Sequence, residues 1–212
     1  MPAKNEHIPR ATIERLSIYL QELENFQRDG IEVISSEPLA KACDVNASQI
    51  RKDLTYFGEF GVRGVGYNVP GLIKSLTESL GIDKEWNCAL IGVGNLGKAL
   101  LSHREFRERR FHIVAAFDSD PFKIGEKVMG LEVTDSNKIK ETVAAHNVRI
   151  GIITTPPERT QRAANQFVEA GIKALLNYAP ARISVPDDVH VEYVDFLHHF
   201  YSLAFNLSGR VR

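Results

Sequence analysis

Cysteine is nearly absent from the 212 residues: only Cys43 and Cys88 occur, far apart and with no partners at metal-ligand spacing. That excludes a disulfide scaffold and a cysteine zinc site, and no metal is expected. No run approaches the roughly 18–20 consecutive apolar residues that a membrane span needs. The opening Met-Pro-Ala-Lys-Asn-Glu-His has no apolar segment behind its charges, so no secretory signal is expected. The expectation is a cytoplasmic protein with no membrane partner. An excess of one charge is missing too: residues 1–80 carry nine basic against eleven acidic groups, and the remainder 17 against 16. Any contact with nucleic acid must therefore come from a few placed cations, not from a broad positive field. What is present is 43% hydrophobic residues, enough to bury a core in one large or two small domains.

The first 80 residues read as short helices and a glycine-rich ribbon. Ile13, Leu16, Leu20 and Leu23 recur at steps of three and four, one face of a helix after Pro9 that Asp29-Gly30 ends. Ser35 or Ser36 caps a second helix, with Pro38 in its first turn and Leu39, Ala42 and Cys43 facing inward. After the tight turn Asp44-Val45-Asn46, Asn46 caps a third helix, and Gln49 stands where it can reach back as in a capping box. Ala47, Ile50, Leu54 and Phe57 form its apolar stripe, while Ser48, Arg51, Lys52 and Thr55 fall opposite. That is a helix-turn-helix pattern, with those four residues aimed at bases and phosphates in a major groove. Taken alone it equally fits a plain helical hairpin with a solvated face. The stretch 58–69 then has four glycines and alternating apolar positions, a tight β-hairpin with Arg63 near its tip, suited to a narrow minor groove. A helix-turn-helix followed by such a hairpin is a winged helix. Leu72, Leu76 and Leu80 mark a linking helix that ends at Gly81 and packs the two domains together, placing the boundary near residue 82.

The second half alternates strand and helix. Apolar, β-branched runs at Cys88–Val93, Ile113–Phe117, Val148–Thr154, Ile172–Leu176 and Val189–Val194 enclose helical stretches such as Ser136–His146 and Glu158–Ala170. This predicts an α/β class: a Rossmann-like, doubly wound parallel sheet. The first strand runs into Gly92-Val93-Gly94-Asn95-Leu96-Gly97, and a helix follows. In that context GxGxxG is meaningful: Gly92 permits the turn, Gly94 the approach of a pyrophosphate and Gly97 close helix–strand packing. Asp118 closes the second strand 21 residues after Gly97, where a carboxylate accepts ribose hydroxyls and disfavours a 2′-phosphate. It also suits a helix-capping acid, since Asp120-Pro121 follows. Thr154-Thr155-Pro156-Pro157 and Asn177-Tyr178-Ala179-Pro180 close later strands at the edge where such sheets bind ligands. Thr154, Thr155, Pro156, Asn177 and Ala179 are therefore candidate cofactor contacts, although ordinary turns favour Pro and Asn as well.

A nicotinamide enzyme needs further chain to hold substrate against the ring, yet eighteen residues follow Val194. Adjacent His198 and His199 point about 100° apart on a helix and are no chelating pair. No paired-carboxylate or Ser-x-x-x-Lys constellation appears, so no catalysis is expected. From Phe196 to Leu207 apolar residues surround most of a helix, which must then be buried. A second copy of the chain is the expected cover; the other arrangement is a last helix lying over its own sheet.

The strings Ser35-Ser36-Glu37, Gln49-Ile50-Arg51-Lys52-Asp53-Leu54-Thr55-Tyr56-Phe57-Gly58, Arg63-Gly64-Val65-Gly66-Tyr67, Leu175-Leu176-Asn177-Tyr178-Ala179-Pro180 and Val194-Asp195-Phe196-Leu197, with the glycine loop, run the length of the chain. On them it resembles the Rex family of bacterial redox-sensing transcriptional repressors. The resemblance implies a homodimer with a swapped C-terminal helix that binds an AT-rich inverted repeat and leaves it when NADH rises against NAD+. It implies DNA contacts from Arg51, Lys52 and Arg63, ribose binding by Asp118, and Phe196 stacking near the nicotinamide from the other subunit. The expected domains are a winged helix over 1–82, an NAD(H)-binding domain over 83–194 and a dimerisation helix over 195–212.

Two switch positions depart from the family pattern. An arginine of the first helix that pairs with the Asp195 position is here Gln21, and a tyrosine after the glycine loop is His103. Without Arg at 21 the usual ion pair cannot form. The competing readings are a small NAD-dependent oxidoreductase that uses the winged helix for dimerisation, and a CoA-binding-like ligand-gated scaffold.

Overall fold

The computed structural model describes residues 8–58, 60–62 and 65–209, and the chain divides into two units, Met1–Lys84 and Glu85–Arg212.

In the first unit, α1 (Arg10–Arg28) follows Pro9, whose extended ψ of 137° sets the entry into the helix. Leu16, Tyr19, Leu20 and Leu23 are buried, but Ile13 is 46% exposed. The helix turns Thr12 inward instead, because Thr12, Arg15 and Tyr19 all bond a buried carboxylate, Asp53. The strand β1 (Val33–Ile34) precedes α2 (Ser36–Ala42), where Ser35 takes the N-cap position without a capping hydrogen bond from its side chain. Leu39, Ala40 and Cys43 are buried there, and Ala42, expected to face inward, is exposed. The turn passes through Asp44 at φ 52° into α3 (Ala47–Thr55). Asn46 caps α3 by accepting from the Gln49 N–H at 2.8 Å. The Gln49 side chain does not complete a capping box: it donates to Asp53 at 2.9 Å, a charged and therefore stronger acceptor than a neutral cap group offers.

The wing follows as β2 (Gly61–Val62) and β3 (Gly66–Asn68). Residues 63 and 64, and with them the DNA contact expected of Arg63, lie outside the described residues. β1 adds a third antiparallel strand, in the order β1-β3-β2, with Ile34 opposite Tyr67. Two residues long, it gives too short a pattern to read from sequence. Gly66, at φ 112°, passes so close to β1 that a Cβ would lie 2.5 Å from the Ile34 carbonyl oxygen. Asn68 then caps α4 (Val69–Ser79), with Pro70 in the first turn, and Leu72 and Leu76 complete one core with α1, α2 and α3.

The second unit contains β4 (Trp86–Ile91), α5 (Asn95–Ser102), α6 (Arg104–Glu108), β5 (Phe111–Asp118), β6 (Lys127–Val128), β7 (Leu131–Asp135), a 3₁₀ turn, α7 (Ile139–Ala145), β8 (Ile150–Ile153), α8 (Pro157–Glu169), β9 (Ala174–Asn177), β10 (His190–Tyr193) and α9 (Leu197–Leu207). The sheet order is β10-β9-β8-β4-β5-β7-β6, parallel except for the β6–β7 hairpin. Alternation along β4 sends Ala89 and Ile91 into one buried cluster and Cys88 and Leu90 into the other, so both faces of the sheet are covered. The order steps from β4 to β5 on one side and to β8 on the other, which opens a crevice at the carboxyl ends of β4 and β8. No residue of α9 is buried, so this helix does not lie over its own sheet.

Candidate functional site

The crevice is a cleft of about 1060 Å³ lined by Gly92, Gly94, Leu96, Asp118, Thr154, Thr155, Pro156 and Ala179, among others. Its floor is the glycine loop, and the three glycines differ in what surrounds them. At Gly92, φ 102°, a Cβ would lie 2.8 Å from Thr155 N; at Gly97 it would lie 2.3 Å from the Gly92 carbonyl oxygen. At Gly94 it would meet nothing within 4 Å. Gly92 and Gly97 thus allow strand, loop and helix to close on one another, whereas Gly94 leaves backbone bare toward open space. α5 begins at Asn95 with no side-chain cap, so its first N–H groups and its dipole are directed at whatever enters.

Val93 is fully buried and takes part through its backbone: its N–H donates to Asp118 Oδ2 at 2.9 Å. Asp118 also accepts from the Asp120 N–H at 3.0 Å and from Lys123 Nζ at 3.0 Å. Burial pushes its carboxyl pKa up, but the bonds from Lys123 and from the Asp120 and Val93 amides outweigh that and hold it below the usual carboxylate range. It is an ionised acceptor at the cleft wall, not a helix cap. Thr154 donates its hydroxyl to the Gly92 carbonyl at 2.7 Å, tying the β8 loop to the glycine loop. Asn177 does not line the cleft; its side chain accepts from the Ala179 N–H at 2.9 Å and donates to the Ala181 carbonyl at 2.8 Å. It shapes the turn that presents Ala179. Phe196 is 62% exposed just ahead of α9.

Three features of the cleft were not expected. Lys123 partners Asp118, Arg159 Nη1 bonds Ser119 Oγ at 3.2 Å, and Phe122 stands 97% exposed on the rim. A cation five residues from an acid, or 40 from a serine, has no pattern that singles it out in one sequence.

The second candidate surface is the outer face of α3. Ser48, Arg51, Lys52 and Thr55 are all exposed there. The Thr55 hydroxyl turns back onto the Lys52 carbonyl at 2.6 Å, and the Ser48 hydroxyl bonds the cap residue Asn46. Arg51 and Lys52 therefore dominate the face. Arg51, Thr55, Val62, Val65 and Tyr67 line a groove of about 670 Å³ between α3 and the wing strands.

On the inner side of α3 lies what the sequence pattern hid. Asp53 is 1% exposed. It accepts from Arg15 Nε at 2.6 Å, Arg15 Nη2 at 2.8 Å, Tyr19 Oη at 2.9 Å, Gln49 Nε2 at 2.9 Å and Thr12 Oγ1 at 3.2 Å. Burial pushes its pKa up, and the bonds from Arg15, Tyr19 and Gln49 overcome it and hold the carboxyl low. The same bonds raise the Arg15 pKa. Of the expected switch residues, Gln21 is exposed on α1, and His103 caps the end of α5 with its ring edge-on to Phe106 at 5.8 Å. Asp195 is exposed and accepts from the Leu197 N–H at 2.9 Å. Among the described residues no cluster of His, Cys, Asp and Glu is suited to a metal, and no helix is long and apolar enough to cross a membrane.

Residues 7–55 match the family described as "Putative DNA-binding protein N-terminus", and residues 83–181 the family described as CoA binding domain. The redox-sensing transcriptional repressor Rex of Maridesulfovibrio salexigens is 64% identical over 97% of this chain and 99% of its own length. This chain belongs to the Rex family. Among solved structures, RSP, a Rex-family repressor, in complex with β-NAD+ and operator DNA superposes with a TM-score of 0.91 at 37% identity, covering 96% of this chain and 94% of RSP. RSP with β-NADH gives 0.87 at 36% identity over 96% and 95%. The architecture is thus that of a Rex repressor, a winged-helix unit before a Rossmann-like sheet. The expectation of a regulator and not an oxidoreductase stands on relatives named repressors that this chain matches over 93% and 99% of their own length.

Proposed function

We propose that this chain represses transcription by holding operator DNA with its first unit and releasing it when NADH fills the cleft of the second. The observation that carries the reading is the presence, on one Rex-family chain, of an open Gly94 beside the uncapped start of α5, an ionised Asp118 and a cationic α3 face. In this reading residues 1–82 bind DNA, 83–194 bind the nucleotide and 195–212 form the dimer. The first amides of α5, around Asn95, take the pyrophosphate. Asp118 takes the adenosine ribose hydroxyls, and Thr154, Thr155, Pro156 and Ala179 wall the rest. NADH differs from NAD+ in lacking the positive charge of the nicotinamide ring, so apolar surroundings favour it. Phe196 of the partner subunit would supply such a surface.

α9 supports the homodimer: Phe200, Tyr201, Leu203, Phe205 and Leu207 are each more than half exposed, and a second copy that exchanges the helix covers them. A two-fold dimer reads an inverted repeat, and an AT-rich one offers the narrow minor groove that suits Arg63. Ser48, Arg51, Lys52 and Thr55 face the major groove. The cytoplasm is where such a repressor meets both DNA and NADH. Gln21 cannot form the ion pair with Asp195 that an arginine would, so the switch, which includes His103, is poised differently here. Gln21→Arg then shifts the NADH response, and superimposable inhibition curves for the two proteins would remove that part.

The test titrates NADH, and separately NAD+, into the complex with an AT-rich inverted-repeat duplex, read by fluorescence anisotropy. Release by NADH at far lower concentration than NAD+ is expected. Binding that ignores both nucleotides, or no binding, overturns the reading.

A further inference from the structure

Arg51 does not stand alone on α3. Its Nη1 donates to the Ser36 hydroxyl at 2.7 Å and lies 3.7 Å from Glu37 Oε1. Glu37 is itself steered, since its other oxygen accepts from the Ser35 hydroxyl at 3.0 Å. Ser35 occupies the N-cap position of α2, so the Ser35–Glu37 hydrogen bond and the Glu37–Arg51 ion pair tie Arg51 to the start of a neighbouring helix. Glu37 and Arg51 keep 70% and 55% of their side chains exposed, and an ion pair so open to water contributes little to stability. Its purpose must lie in what Arg51 does.

We propose that Ser36 and Glu37 are positioning residues that hold Arg51 to read a base edge and discourage it from serving as a phosphate anchor. The proposal rests on the DNA-binding reading above. A guanidinium presents five N–H donors in a planar fork. With Nη1 turned to Ser36 and Glu37, the edge formed by Nε and Nη2 is left to pair side by side with two acceptors, as guanine O6 and N7 present them in the major groove. The Glu37 carboxylate offsets the charge of Arg51, which weakens attraction to any phosphate while leaving a directional base contact intact. Lys52, one residue on, is a point charge on a flexible stem and suits phosphate without such steering. Arg51 also lines the groove between α3 and the wing strands.

The experiment compares the duplex that the wild-type protein selects from a random library with a scrambled duplex of equal length. Ser36→Ala is expected to lower affinity for the selected duplex by about tenfold and leave the scrambled one unchanged. Glu37→Gln raises affinity for scrambled DNA and cuts the ratio of the two affinities by about tenfold. Arg51→Lys keeps the charge yet loses the selected duplex as fully as Arg51→Ala does. Replacing the half-site guanines by 7-deazaguanine costs the wild type about tenfold and Ser36→Ala almost nothing further. Unchanged circular dichroism and NADH affinity certify that each variant folds. The proposal is overturned if Arg51→Lys retains selected-duplex affinity, if Ser36→Ala and Glu37→Gln weaken both duplexes equally, or if 7-deazaguanine costs both proteins the same. If the wild type binds no duplex at all, it is the DNA-binding reading that fails.

Discussion

On α3 the groups offered to the outside are mainly side chains, with Arg51 and Lys52 standing on a helix whose start is capped by Asn46. In the cleft of the second unit the offer is mostly backbone: a bare glycine and uncapped amides, beside a carboxylate fixed by two N–H groups and Lys123. The two surfaces are therefore held in place differently. The α3 face depends on a polar lock behind it, where one buried carboxylate gathers Thr12, Arg15, Tyr19 and Gln49. The cleft depends on the absence of side chains, because closure of strand, loop and helix leaves no room for a Cβ at Gly92 or Gly97. A side-chain site is broken by removing atoms, and a backbone site by adding them.

The sharpest break of that contrast is Gly97→Val. With the Gly92 carbonyl 2.3 Å from even a Cβ, NADH binding measured by calorimetry should fall below detection. Gly94→Ala, which meets open space, should keep the thermal midpoint of the wild type and still lose NADH affinity by about tenfold, since the added methyl occupies the approach of the pyrophosphate. Equal melting losses for both variants would erase the distinction between the two glycines.

Next in size is Asp53→Ala, which leaves the partly buried Arg15 with nothing of opposite charge beside it. Breaking such a pair costs about 3–5 kcal/mol, discounted toward the lower figure because the Arg15 side chain is 25% exposed. Chemical denaturation should show the loss, with NADH affinity unchanged. Asp118→Asn should weaken NADH by about tenfold, a smaller effect in free energy, because the amide keeps one acceptor but loses its charge.

The gentlest probe is acid. The Asp53 carboxyl is held below its ordinary range, so its contribution is complete above the unfolded pKa of about 3.9 and is lost as pH falls through the lower folded value. Stability from this group should be flat near neutrality and decline only below about pH 4. In Asp53→Asn that acid limb should flatten. An identical limb in both proteins would place the titration elsewhere.

Much of this was readable in one dimension. The spacing of Leu16, Leu20 and Leu23, the cap at Asn46, the strand leading into Gly92 and the acid at 118 are local patterns, and each stands where its pattern puts it. The β6–β7 hairpin was not readable: its two-residue turn places Met129 at φ 51° beside Gly130, and methionine is not a residue that announces a left-handed turn. Asp53 was hidden for the opposite reason. A charged residue on an amphipathic helix is assigned to the wet side, and only partners 34 to 41 residues away bring it inside. A strand-end asparagine looks the same in sequence whether it faces a cleft or its own turn, and the Asn177 side chain bonds its own turn.

Period and short-range chemistry are enough to specify the helices, the parallel sheet, the phosphate-type loop and the cationic face of α3. Long-range packing selects which charges are buried and which hydroxyls already have partners, and it brings Ser36 and Glu37 beside Arg51. Periodicity fixes the direction a side chain leaves its helix, but a hydrogen bond needs two groups within about 3 Å. For residues far apart in the chain, that distance is set by packing alone.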